Sequence, residues 1–218
     1  MRLYGVARSP FAARVQAVIA LKALDIPMVP PPGAGLKSPE YLAVNPMGRI
    51  PALALDDGST LPESEVIVEF LEQVFPEPPL LPKNPQARAQ ARLIARVAEL
   101  YVMGPILGLF AHLGGDRTAN PEVDRLFGQL DAGLGHVDHY LAEAPHAAGA
   151  DSTFADCALA PILFWVKEVG RMFGRPDPLA AFPRLARYDR AMAAHPVFGA
   201  LLTAMADDLA ELRRTRQS

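Results

Sequence analysis

Ser9 stands directly before Pro10 at the end of a short apolar run, the arrangement of a residue that caps a helix with its hydroxyl. Free backbone N–H groups and the positive end of the helix dipole converge at such a place, so an anion is stabilised there. In Ile50-Pro51 a proline opens a strand straight after an isoleucine. That suits a cis peptide, which turns the preceding residue's backbone outward for a ligand's amide groups; the plainer reading is an edge-strand proline. Glu63-Ser64, at the start of a helical pattern, offers a carboxylate, a hydroxyl and free N–H groups. Together these can hold the ammonium and carboxylate of an amino acid, or serve as a simple capping pair. Arg8 and Arg14 flank Ser9 and either raise the local positive potential or face solvent. His136 and His139 have the i, i+3 spacing of metal ligands, but no third ligand lies nearby in sequence, so a solvated helix face and no metal are expected.

These residues are positioned by two different kinds of pattern. From Arg2 to about Phe75, short β-like runs (Leu3 to Val6, Ile26 to Val29, Pro51 to Leu55) alternate with helical periodicity, an α/β arrangement. The first helix begins after Ser9, with Phe11, Val15, Val18 and Ile19 on an apolar face, and ends near Leu24. Asp57-Gly58 turns Pro51–Leu55 back into Ser59–Leu61 as a hairpin, and a helix follows from Ser64 to about Phe75. The proline-rich tract from Pro76 to Pro85 continues neither helix nor sheet. The boundaries expected are a first domain at 1–78, a linker at 79–85 and an all-α domain at 86–218. Five helices are expected there: Gln86 to His112, Pro121 to Leu141, Thr153 to Phe173, Pro183 to Ala193 and Val197 to Arg213, with kinks at Pro105 and Pro161.

A net charge of −3 without a long basic run argues against nucleic acid or anionic lipid as a partner. The two uncharged stretches, Leu100–Gly115 and Ala191–Ala206, are each broken by Gly, Pro or His and too short for a membrane span, so no membrane is expected. Arg2, Arg8 and Arg14 interrupt any secretory signal, and one cysteine, Cys157, excludes an internal disulfide framework. A cytoplasmic protein is expected.

A strand, the Ser9-Pro10-Phe11 helix start, the tract Asn45-Pro46-Met47-Gly48-Arg49-Ile50-Pro51-Ala52-Leu53 and Glu63-Ser64-Glu65-Val66-Ile67 before a helix follow one another in an order that resembles the glutathione S-transferase family. The motifs are similar to those of its tau, omega and zeta classes. Thr153-Phe154-Ala155-Asp156 looks like that family's capping box, so the resemblance spans nearly the whole chain. It implies a thioredoxin-like domain followed by a helix bundle, in a homodimer that takes glutathione as co-substrate and needs no metal. By the same resemblance Ser9 activates the sulfur, Ile50 before a cis Pro51 pairs with the cysteinyl backbone, and Glu63 with Ser64 holds the γ-glutamyl end. Lys37 resembles a position near the glycine carboxylate. Tyr4 is a rival to Ser9 but sits five residues too early. An electrophile pocket is expected between the domains, from Phe11, Tyr101, Met103 and Pro105. The first helix start reads Ser9-Pro10-Phe11-Ala12 in place of Cys-x-x-Cys, which excludes dithiol exchange at this site. Arg8-Ser9-Pro10 also departs from the Ser-Ser-Cys-like turn of a zeta-type isomerase. The expected function is therefore a transferase that activates glutathione against a small hydrophobic electrophile; the alternative is a non-catalytic scaffold acting through protein contacts.

Overall fold

In the computed structural model, which describes residues 1–113 and 120–215, β1 (Arg2–Tyr4) leads into α1 (Pro10–Leu21) and β2 (Met28–Val29). Next come α2 (Pro39–Val44), the hairpin β3 (Ala52–Ala54) and β4 (Thr60–Pro62), and α3 (Ser64–Val74). The sheet order is β2-β1-β3-β4, with β1 parallel to β2 and antiparallel to β3, and β3 antiparallel to β4. Tyr4 pairs with Ala52 and Ala52 with Pro62. The end of β1, the start of β3 and the end of β4 therefore share one end of the sheet; Pro51 directly precedes and Glu63 directly follows it, and Ser9 follows β1 after Gly5–Arg8.

The strands are shorter than the apolar runs suggest, because only two residues of β2 and three of each other strand keep the ladder before a turn or proline intervenes. Leu3 and Leu53, opposite one another on β1 and β3, have no exposed surface, and Val15 and Val18 of α1 and Ile67 and Leu71 of α3, two helices that pack on each other, are buried as well. At the far end of α1, buried Lys22 donates from Nζ to Phe75 O and Pro78 O, each at 2.7 Å, and pairs with Glu72 Oε2 at 2.7 Å. That satisfied cation ties α1 to the end of α3. The helix α2 was not anticipated; its signal is Ser38-Pro39, with the Ser38 hydroxyl accepting the Tyr41 N–H at 3.3 Å.

The remaining elements are helical: α4 (Pro85–Val97), α5 (Gly104–Phe110), α6 (Pro121–Tyr140), α7 (Phe154–Met172), α8 (Pro183–Ala194) and α9 (Pro196–Thr215). Between α4 and α5, Ala98–Met103 widens into π-helical turns. Pro105, which has no N–H to donate, stands where the π-helical turns pass into α5, in a helical backbone that continues without a break. Gly133 of α6 makes room for this wide segment, since a Cβ there would lie 2.0 Å from the Tyr101 carbonyl oxygen. The helical run Pro85–Phe110 is long and apolar enough to cross a membrane, yet it packs on α6 and α7 as a core helix does. Helix α7 runs unbroken through Pro161 and is buried along most of its length. The residues group into two compact units, Met1–Leu80 with Pro196–Ser218, and Leu81–His195. Helix α9, counted in 86–218 by the sequence reading, thus groups with the first unit, where it packs on α1.

Candidate functional site

Ser9 is fixed on both sides by backbone bonds. Its N–H donates to Val6 O at 3.1 Å, its C=O accepts the Ala13 N–H at 2.8 Å, and extended dihedrals (φ −72°, ψ 121°) turn the chain into α1. The Oγ accepts the Ala12 N–H at 3.3 Å. A hydroxyl that accepts from its own helix keeps its proton to donate outward, and accepting an N–H makes it a better donor. The first turn of α1 carries no acidic residue, so no charge from its own first turn offsets the positive end of the helix.

The Ile50–Pro51 peptide is cis. The carbonyl of Arg49, one residue earlier, accepts from Tyr41 Oη and from Asn45 Nδ2, both at 2.7 Å, while the Met47 N–H donates to Asn45 Oδ1 at 3.0 Å. Two donors on one carbonyl hold the loop that delivers Ile50 and Pro51. Burial pushes the Tyr41 phenol up to about 12, so it remains a donor at any physiological pH. Lys37 is exposed and donates from Nζ to Met47 O at 2.9 Å, lying across Gly48. Gly48 has φ +58°, and a Cβ there would meet Leu36 O at 2.6 Å.

Glu63 has φ 71° and ψ 113°, a conformation that side-chain-bearing residues avoid, and makes no side-chain capping bond to α3. Its carboxylate is exposed. Ser64, 5% exposed, accepts at Oγ from Arg14 Nη1 at 3.2 Å, and Arg14 itself is 4% exposed. Arg14 is thus turned inward and couples the helix that Ser9 caps to the start of α3. Accepting from a guanidinium leaves the Ser64 hydroxyl proton for an anion, beside a buried positive charge. Arg8 is held by Asp208 of α9. Composition flagged Arg8 and Arg14 without separating their roles; Tyr41 and Asn45 were missed, although Asn45 opens the tract that ends in Pro51.

Phe11 is half-buried on α1. In the helical unit Tyr101 is 53% exposed and its ring meets the edge of His136 at 5.9 Å, whereas Met103 and Pro105 are buried. Cys157 has no exposed surface. Thr153 caps α7 by accepting the Ala155 N–H, and buried Asp156 accepts the N–H groups of Ala147 and Thr153 at 2.8 Å each. Among the described residues no group of three His, Cys, Asp or Glu side chains converges as metal ligands do. A cleft of about 720 Å³ lies on the first unit between Arg2, Tyr4, Val29, Val44 and Thr60, and none of the expected site residues lines it. Volume alone does not mark the chemistry; the Ser9, Pro51 and Ser64 end of the sheet has the oriented donors.

Residues 3–79 match the family model described as glutathione S-transferase, N-terminal domain, and residues 120–191 match that of the C-terminal domain. The maleylacetoacetate isomerase of Pseudomonas aeruginosa is 33% identical over 207 residues, covering 91% of this chain and 93% of that protein. The probable glutathione S-transferase GSTU6 of Oryza sativa subsp. japonica is 29% identical over 222 residues, covering 99% and 93%. Among solved structures, the tau-class glutathione S-transferase of mango, Mangifera indica, has a TM-score of 0.80 at 23% identity and covers 97% of both chains. A glutathione S-transferase of Methylobacterium radiotolerans, in complex with glutathione sulfonate, has a TM-score of 0.78 at 25% identity, covering 92% of this chain and 93% of that one.

Proposed function

Because the chain belongs to the glutathione S-transferase family, we propose that Ser9 donates a hydrogen bond to the glutathione sulfur and holds it as thiolate for attack on a small hydrophobic electrophile. In that attack the S–C bond forms as the leaving group departs with its electron pair, and the thiol proton has already passed to solvent. The observation that carries this reading is the Arg14 to Ser64 hydrogen bond. It joins the capped start of α1 to the start of α3, so one end of the sheet presents two hydroxyls, each with a proton free to donate, beside the exposed carboxylate of Glu63.

In this reading Glu63 takes the γ-glutamyl ammonium, Ser64 and the first N–H groups of α3 take its carboxylate, Ile50 before Pro51 pairs with the cysteinyl backbone, and Lys37 meets the glycine carboxylate. The magnitudes suffice. Lowering a thiol pKa from about 8.5 by two units takes about 2.7 kcal/mol. A hydrogen bond to a charged acceptor gives about 1.5–3 kcal/mol and a helix N-terminus about 0.3–1 kcal/mol. The hydroxyl and the helix achieve together what neither does alone.

We place the reaction in the cytoplasm, where glutathione is reduced and a lone buried cysteine is at home, and in a homodimer; exposed Val66 and Val74 on α3 support a covered face. The relative named maleylacetoacetate isomerase favours a second reading with the same thiolate: addition to an activated cis alkene, rotation about the new single bond, and expulsion of the sulfur. Retention on immobilised glutathione with elution by the free tripeptide, followed by turnover of an aryl halide or of a cis-alkenoic diketo acid, tests both. No detectable binding at high glutathione concentration points instead to a scaffold working through protein contacts.

A further inference from the structure

The turn that presents Ser9 is gripped from outside by the last helix. Val6 O accepts the Ser9 N–H, which closes a four-residue turn with Ala7 and Arg8 at its centre. The Arg8 N–H points out of that turn and donates to Asp208 Oδ2 at 2.8 Å, while Arg8 Nη1 donates to Asp208 Oδ1 at 2.9 Å. Both oxygens of one carboxylate are thus engaged by the residue immediately before Ser9, 200 positions away in sequence. The two side chains are 29% and 28% exposed, and α9 is anchored by buried Phe198, Met205 and Leu209. An ordinary surface ion pair joins two flexible side chains and fixes little. Here one of the two bonds falls on a backbone amide, so it constrains the dihedrals of the turn itself.

We propose that Asp208 is a positioning residue for Ser9, acting through the backbone and side chain of Arg8 to set the direction in which the Ser9 hydroxyl donates. The proposal rests on Ser9 being the hydrogen-bond donor to the glutathione sulfur. Helix α9, which packs on α1, thereby also completes the turn that precedes α1.

Charge and position predict opposite signs, which makes the idea testable. A carboxylate near the sulfur disfavours a thiolate, so if Asp208 acted only by its charge, Asp208→Ala would lower the thiol pKa and Asp208→Glu would leave it unchanged. If it positions Ser9, both substitutions raise that pKa, because the alanine has no acceptor and the glutamate displaces it by one methylene. The experiment is the pH dependence of kcat with an aryl halide, alongside the ultraviolet absorbance of the bound thiolate, glutathione affinity and thermal stability, for wild type, Asp208→Ala and Asp208→Glu. The expected result is an apparent pKa raised by about half to one unit and a rate near neutrality lowered ~3- to 10-fold in both variants. Glutathione affinity should stay within about twofold, since Lys37, Glu63 and Ser64 are untouched. Should Asp208→Ala fail to fold, the glutamate variant decides alone. An unchanged or lowered pKa in the folded variant overturns the proposal. A wild-type protein with no thiolate absorbance near neutral pH overturns instead the role given to Ser9, so the two failures are distinguishable.

Discussion

Replacing Glu63 with glycine should make the protein more stable and a worse glutathione binder at once. Glu63 holds φ 71° and ψ 113°, and its side chain makes no capping bond to α3 that would repay this conformation. A residue with a side chain in such a sparsely populated region costs about 1–3 kcal/mol. Glycine has no Cβ to clash at this positive φ, at an entropic cost of about 0.5–1 kcal/mol relative to alanine. The net expected gain is about 0.5–2 kcal/mol, which for a chain of this size raises Tm by about 2–4 °C per kcal/mol. Against this, loss of the carboxylate removes a charge-assisted bond to the ligand ammonium of about 1.5–3 kcal/mol, a ten- to hundredfold weaker glutathione affinity. Glu63→Gln separates the two effects, because it keeps the strained backbone and loses only the charge: affinity should fall with Tm nearly unchanged. Calorimetric unfolding and isothermal titration of the three proteins are the assays. A Glu63→Gly protein less stable than wild type would show that the conformation is not strained in this chain. Unchanged affinity in both variants would show that the carboxylate faces no ligand.

Thr153→Ala should cost about 0.5–2 kcal/mol in denaturant unfolding, and Asp156→Ala about 3 kcal/mol or more because it orphans the buried N–H groups of Ala147 and Thr153; neither should change glutathione affinity in the folded protein. Gly133→Ala forces a Cβ against the Tyr101 carbonyl and should destabilise by about 1–3 kcal/mol, with a circular dichroism change at the wide helical segment no larger than that global loss explains. His146 lies 3.7 Å from Asp156, whose carboxylate raises the imidazole pKa above its ordinary value despite the opposing effect of burial. A raised folded-state pKa stabilises the protein below the unfolded value and ceases to do so as pH rises through the folded one. His146→Gln should therefore lose most stability near about pH 5 and converge on wild type by about pH 8. The neighbouring His195, whose pKa is lowered first by its burial and then by the charge of His146, works in the opposite direction; loss of His146 relieves the second part and so trims the acid-side difference.

What was legible in the sequence was punctuation. Ser9-Pro10, Asp57-Gly58, Glu63-Ser64, the proline tract and Thr153 with Asp156 each mark a local backbone requirement, and each element boundary they mark falls within a few residues of the observed one. Helix α2 went unread because six residues give too few turns for a periodicity to show, though Ser38-Pro39 carries the same capping signal as Ser9-Pro10. The wide segment Ala98–Met103 went unread because the residue that lets it approach α6 so closely, Gly133, lies elsewhere in the chain. The roles of Arg8 and Arg14 depend on partners 200 and 50 positions away, Asp208 and Ser64, which no local pattern can pair with them. Met103 and Pro105 share an apolar stretch with exposed Tyr101, and it took the packing of α5 and α6 to separate buried from open positions.

The central claim is that Ser9 activates sulfur rather than merely capping α1, and the pH–rate profile of Ser9→Ala with an aryl halide tests it most directly. A bare cap predicts a loss of about 0.5–2 kcal/mol in stability and an unchanged rate per folded molecule. Activation predicts that the bound thiol's pKa rises by about one to two units, as about 1.5–3 kcal/mol of hydrogen bonding to the thiolate disappears while the helix dipole remains. The rate near neutral pH then falls ~10- to 100-fold with the Michaelis constant for glutathione little changed, and the thiolate absorbance shifts to higher pH in step. Superimposable profiles for wild type and Ser9→Ala would contradict the account and return Ser9 to the role of a helix cap.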